Sequence, residues 1–136
     1  MKLRVAGVGG GYFAQFHYEA WKRIEEIDLV GVCDLDSEKA KQTALTHNIP
    51  EVCSEFDRLC KKTKPDLVDI ITPPNSHQKL IETAFQHRIP VICQKPLAPN
   101  LKTAKETPMS AKNYLRNIEI EDDIYQSNLT QSRVEC

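Results

Sequence analysis

Leu3-Arg4-Val5-Ala6-Gly7-Val8-Gly9-Gly10-Gly11-Tyr12-Phe13-Ala14, near the start of a 136-residue chain, decides how the rest is read. Leu3, Val5 and Val8 form a short apolar run that enters a cluster of glycines, the pattern of a buried strand meeting a tight turn. Two registers of a dinucleotide fingerprint are available. Starting at Gly7 puts bulky Tyr12 where a small residue must let helix approach strand. Starting at Gly9 assigns Gly9 to the turn, Gly11 to the close approach of a pyrophosphate and Ala14 to helix packing. The second register meets all three requirements. A pyrophosphate there would face the free backbone N–H groups opening the next helix, at Tyr12 and Phe13, and the positive end of its dipole.

Downstream, Phe13, Phe16, Ala20, Ile24 and Ile27 recur at intervals of three and four, which predicts a helix from about Tyr12 to Glu26 with that face on the sheet. Leu29-Val30-Gly31-Val32-Cys33 reads as a second strand, and Asp34-Leu35-Asp36-Ser37 as a loop and helix cap. A second helix carries Ala40, Ala44 and Leu45, with Asn48 as left-handed cap and Pro50 as stop. A short helix over Ser54 to Lys62, a strand over Asp66 to Ile71, a break at Thr72-Pro73-Pro74-Asn75-Ser76, a helix bearing Leu80, Ile81, Ala84 and Phe85, and a strand over Pro90 to Cys93 follow. Apolar runs alternating with helices require crossover connections, hence an α/β, doubly wound parallel sheet.

Asp34 stands twenty residues after Ala14 at the end of the second strand, where a carboxylate accepts hydrogen bonds from the adenosine ribose and repels a 2′-phosphate. A mere tight turn followed by an unrelated loop acid is the bland alternative. The order of strand, motif, helix, strand and acid weighs against it and favours NAD over NADP.

Bulk properties exclude other classes. Eighteen basic against nineteen acidic residues leave a formal charge of -1 and no positive field for nucleic acid. No apolar run reaches the ~20 residues of a membrane span and no signal-peptide core precedes the glycines, so a cytoplasmic location is expected. Five cysteines without a Cys-x-x-Cys pair, and four histidines without helical metal spacing, predict reduced thiols and no metal site.

Gly9-Gly10-Gly11-Tyr12-Phe13-Ala14-Gln15-Phe16-His17 with Ala20-Trp21, Thr72-Pro73-Pro74-Asn75-Ser76-His77 and Gln94-Lys95-Pro96-Leu97 together resemble the Gfo/Idh/MocA family of sugar and polyol dehydrogenases over about residues 1 to 106. The resemblance implies a Rossmann domain binding NAD(P), with Thr72, Pro73, Asn75 and His77 along the nicotinamide ribose and Lys95 as the catalytic residue facing the substrate. His17 is read as packing.

Two departures accompany the resemblance. Gln94 replaces the signature's usual glutamate. The family's second α/β domain, with its aspartate and histidine pair, has no counterpart after residue 106, where the sequence holds no histidine. Residues 107–136 keep no clean period and are read as a divergent tail. The expected function is therefore the dinucleotide-binding domain of an oxidoreductase acting on a sugar, polyol or similar alcohol. That substrate would be engaged only if a second domain or subunit were supplied. The alternative is a catalytically silent NAD-binding module or regulatory subunit; an oligomer is compatible with both.

Overall fold

The computed structural model describes residues 2–107; residues 108–136, which hold most of the tail, lie outside the described part. In chain order the elements are β1 (Leu3–Val8), α1 (Ala14–Lys22), β2 (Ile27–Cys33), α2 (Ser37–His47), β3 (Val52–Cys53), α3 (Phe56–Thr63), β4 (Leu67–Ile70), α4 (His77–Gln86), β5 (Val91–Cys93) and α5 (Leu101–Glu106), with a 3-10 turn at Pro74–Ser76. The sheet order is β3-β2-β1-β4-β5 and every pairing is parallel. From β1 the chain runs outward through β2 and β3, then returns across β1 to β4 and β5. The loops after β1 and β4 therefore leave the sheet in opposite directions, which opens a crevice at the carboxyl edge between them. The α/β doubly wound class read from the sequence is the observed one.

Alternation along the strands feeds two cores. Ala6, Val8, Val68 and Ile70 point to one face, where Phe56, Leu59 and Cys60 of α3, Ile81 and Ala84 of α4 and Ala104 of α5 cover them. On the other face Val32 and Ile71 meet Ala14 and Tyr18 of α1 and Ala44 of α2. Pairing of β1 with β2 slips between Val5 and Ala6, leaving Val30 as an extra residue. This bulge directs Gly31 at α3, where an added Cβ would lie 2.7 Å from Leu59 Cδ1.

Helix ends follow local chemistry. Asp36 caps α2 by accepting the Glu38 and Lys39 N–H groups, and Asn48 closes it in the left-handed region at φ 56, ψ 45. The faces differ from expectation. Phe13, Phe16 and Ile24 are 58%, 48% and 43% exposed, and α1 buries Ala14 and Tyr18 instead. The stripe turned inward is Ala14-His17-Tyr18-Trp21, one residue round the helix from the purely apolar one. It prevails because its polar atoms find partners inside: the Tyr18 hydroxyl donates to Gly9 O, and Trp21 Nε1–H donates to Asp69. Leu45 and Phe85, expected on buried stripes, are also exposed, since α2 and α4 turn Ala40, Ala44, His77, Ile81 and Ala84 inward.

Cys33, Cys53, Cys60 and Cys93 are free thiols. Burial pushes Cys33 and Cys93 up from 9.0 to about 12 and Cys60 to about 11, and holds the Tyr18 phenol above its usual range. Raised values mean that the fold favours the neutral forms. Their contribution is complete below pH ~9 and is lost as pH climbs through the folded values. Urea unfolding should thus show stability falling steadily above pH ~9; a flat profile to pH ~11 would contradict it.

Candidate functional site

The loop after β1 is shaped by what its glycines touch. Gly9 adopts φ +118, and a Cβ there would lie 2.8 Å from the Ile71 carbonyl oxygen, so the loops after β1 and β4 meet at this residue. Its N–H donates to Cys33 O at 2.8 Å and its carbonyl accepts the Tyr18 hydroxyl at 2.9 Å. At Gly11 a Cβ would meet nothing within 4 Å, so the backbone opens on free space. Ala14 is 1% exposed, packed where α1 comes closest to the sheet. The turn at Gly9, the open backbone at Gly11 and the packed Ala14 have the shapes that the register beginning at Gly9 calls for.

α1 has no side-chain cap and no acid in its first turn. Among the described residues no hydrogen bond uses the N–H groups of Gly11, Tyr12 or Phe13. Unpaired donors at the positive end of a helix, beside an open glycine, fit the charge and shape of a pyrophosphate.

Asp34, half-buried at the end of β2, accepts the Gly10 N–H on Oδ2 at 2.7 Å and the Asp36 N–H on Oδ1 at 2.8 Å. The carboxylate therefore braces the glycine loop, and each oxygen keeps a second lone pair for a ribose hydroxyl. After β4, Ser76 Oγ lies 2.7 Å from Thr72 Oγ1, while Pro73 and Asn75 are exposed. After β5, Lys95 is exposed and its backbone N–H donates to Gln94 Oε1 at 2.9 Å.

His77 is placed differently from what the resemblance implied. Its ring is fully buried; Nε2 lies 2.6 Å from Thr72 O, and Nδ1 lies 3.0 and 3.1 Å from Pro96 O and Leu97 O. It fastens the β4 loop to the β5 loop from within instead of lining the open edge.

The sequence reading missed Asp69. Wholly buried in β4, it accepts His17 Nδ1–H at 2.8 Å and Trp21 Nε1–H at 2.7 Å, and His17 Nε2 reaches Gln94 at 3.0 Å. His17, read as packing, is thus a hydrogen-bonding bridge. An aspartate inside the apolar run Leu67–Ile71 was the available signal, since a buried carboxylate must find donors.

Gly9 to Ala14, Asp34, Thr72 to Asn75 and Lys95 consequently share one edge, past the carboxyl ends of β1, β2, β4 and β5. Against this geometry, an oxidoreductase family model, GFO_IDH_MocA with NAD-binding Rossmann fold, matches residues 3–116. The chain belongs to this family. The Gfo/Idh/MocA match runs past residue 106, where the resemblance in the motifs stops. A D-apiose dehydrogenase of Paraburkholderia graminis is 33% identical over 104 residues, covering 76% of this chain and 28% of the relative. A scyllo-inositol 2-dehydrogenase (NADP(+)) of Bacillus subtilis is 27% identical over 110 residues, 81% of this chain and 34% of that protein. The crystal structure of an Agrobacterium radiobacter oxidoreductase in complex with NAD+, L-tartaric acid and magnesium superposes with a TM-score of 0.75 at 31% identity, over 88% of this chain and 34% of that one. The chain spans roughly a third of the length of these Gfo/Idh/MocA proteins. It forms an NAD-binding Rossmann domain of an oxidoreductase family, with a nicotinamide dinucleotide as ligand. Among the described residues no helix is long and apolar enough to cross a membrane, and no His, Cys, Asp or Glu cluster is placed to hold a metal ion.

Proposed function

We propose that this domain takes NAD in preference to NADP and serves hydride transfer to or from a sugar, polyol or similar alcohol. The observation that carries the reading is the open Gly11 beside unpaired N–H groups, with Asp34 braced against the same loop. The N–H groups of Gly11, Tyr12 and Phe13 hold the pyrophosphate, Gly9 and Ala14 let the loop and helix approach it, and Asp34 takes the adenosine ribose hydroxyls. Neither Leu35 nor Asp36, which follow Asp34, is cationic, and Lys39 of α2 is already paired with Asp36 at 3.7 Å, so a 2′-phosphate would meet two carboxylates first. Thr72, Pro73 and Asn75 border the nicotinamide ribose, with His77 supporting them from inside. When bound, the nicotinamide supplies the hydride chemistry. Lys95 Nζ donates to the substrate oxygen and helps move its proton.

Isothermal titration with NAD and NADP separately tests the reading: saturable binding with NAD preferred is expected, and a folded chain binding neither overturns it. Asp34→Ala should weaken NAD about thirty-fold, matching ~2 kcal/mol for charge-assisted hydrogen bonds, while NADP loses far less. Unchanged affinities for both would remove Asp34 from the ribose site. A second reading is binding without turnover by these residues alone. Steady turnover on any sugar or polyol by the purified chain would exclude it.

A further inference from the structure

Four side chains that the cofactor does not need form a chain with a fixed direction. Asp69 lies midway along β4 with no exposed surface, and its Oδ2 accepts Trp21 Nε1–H and His17 Nδ1–H, while Oδ1 takes no hydrogen bond from the described residues. At the other end, the Lys95 backbone N–H can only donate, so the atom of Gln94 facing it at 2.9 Å is the amide oxygen. The Gln94 NH2 then faces His17 Nε2 at 3.0 Å. An amide NH2 can only donate as well, so Nε2 presents a lone pair and the ring hydrogen sits on Nδ1, toward Asp69.

We propose that His17 is a positioning residue. Carried on α1 and oriented by Asp69, it fixes the Gln94 side chain and, through it, the peptide of Lys95. The purpose of this arrangement rests on the functional reading above, which sets Lys95 against the substrate; its geometry does not. His77 grips the same turn from the other side through the Pro96 and Leu97 carbonyls, so the exposed Lys95 is carried on a segment held at both ends. The neutral amide at position 94 is integral: a Gln94→Glu carboxylate has no hydrogen to give, and His17 would then need one on Nε2 as well.

The test is nitrogen-15 NMR of the full chain, comparing wild type with Gln94→Glu, His17→Phe, Gln94→Leu and the His17→Phe/Gln94→Leu double variant. His17 and Gln94 are only partly buried, but His17→Phe removes one of the two hydrogen bonds to buried Asp69, so each variant's fold is first checked by its amide spectrum. Gln94→Leu, which leaves both Asp69 bonds in place, carries the exchange test if His17→Phe does not fold. Wild-type His17 should show the Nδ1–H tautomer, and Gln94→Glu should convert it to the doubly protonated ring. Exchange of the Lys95 N–H should speed up about five-fold in His17→Phe and in Gln94→Leu alike, and no further in the double variant. A histidine that merely packs would leave that amide unmoved. The Nε2–H tautomer in wild type, or unchanged Lys95 exchange in His17→Phe, overturns the proposal. Titration of the same samples with NAD keeps the two readings apart. An intact relay in a chain that binds no dinucleotide defeats the functional reading alone. NAD binding with an unmoved Lys95 amide in His17→Phe defeats the positioning role alone.

Discussion

Gly9→Val should lower stability by about 3 kcal/mol and abolish dinucleotide binding in whatever fraction remains folded. Two independent obstacles meet at this residue. Its φ of +118 belongs to a region that residues with a Cβ rarely enter, and the new atom would be driven to 2.8 Å from the Ile71 carbonyl oxygen. That oxygen is backbone, and Ile71 N–H is itself tied to Val8 O, so neither side gives way cheaply. Relief requires moving the loop, which breaks the Gly9 bonds to Cys33 and Tyr18 and carries Gly11 away from its open position. Urea unfolding followed by NAD titration reads both effects. A variant within ~1 kcal/mol of wild type that still binds would show the conformation to be adaptable.

Tyr18→Ala should be of similar size, about 4 kcal/mol, and Tyr18→Phe only about 1 kcal/mol. The ring is entirely buried beneath the glycine loop, with its centroid 5.3 Å from that of His47, and fills the space over Gly7 so closely that no side chain fits there. Alanine leaves a cavity under the loop; phenylalanine keeps the packing and removes only the hydroxyl bonded to Gly9 O. The gap between the two variants, read from thermal or urea unfolding, separates packing from hydrogen bonding. Equal losses would mean that the hydroxyl, not the ring, supports the loop.

The parts of the site legible in the sequence are those governed by local backbone constraint. Gly9, Gly11 and Ala14 each answer a steric demand a few residues wide, and Asp34 is reached by counting across one helix and one strand. The cap at Asp36 and the left-handed Asn48 were readable for the same reason. What escaped is non-local or polar. α1 presents an apolar stripe at Phe13, Phe16 and Ile24, yet it buries the neighbouring stripe, whose His17 and Trp21 are satisfied by Asp69 far along the chain and whose Tyr18 is satisfied by the glycine loop just before it. Counting apolar residues finds the most hydrophobic face, and that is the buried face only where the interior offers no polar partners. The His17 contacts with Asp69 and Gln94 span 52 and 77 residues, distances at which spacing carries no information. β3 is two residues long, too short to show a period.

The strand order has a consequence for synthesis. β1 is translated before the other four strands of this sheet, yet it lies in the middle of it, paired with β2 from Leu3↔Ile27 to Val8↔Cys33 and with β4 from Val5↔Leu67 to Val8↔Ile70. At ~5–20 residues per second, β4 trails β1 by roughly 3–12 s. Through that interval one edge of β1 has no partner, and Asp69, which anchors α1 through His17 and Trp21, has not yet been made. The glycine loop is the earliest part of the site to be translated and among the last to be immobilised, so the nascent chain that holds β1 but not yet β4 is the species most exposed to mispairing.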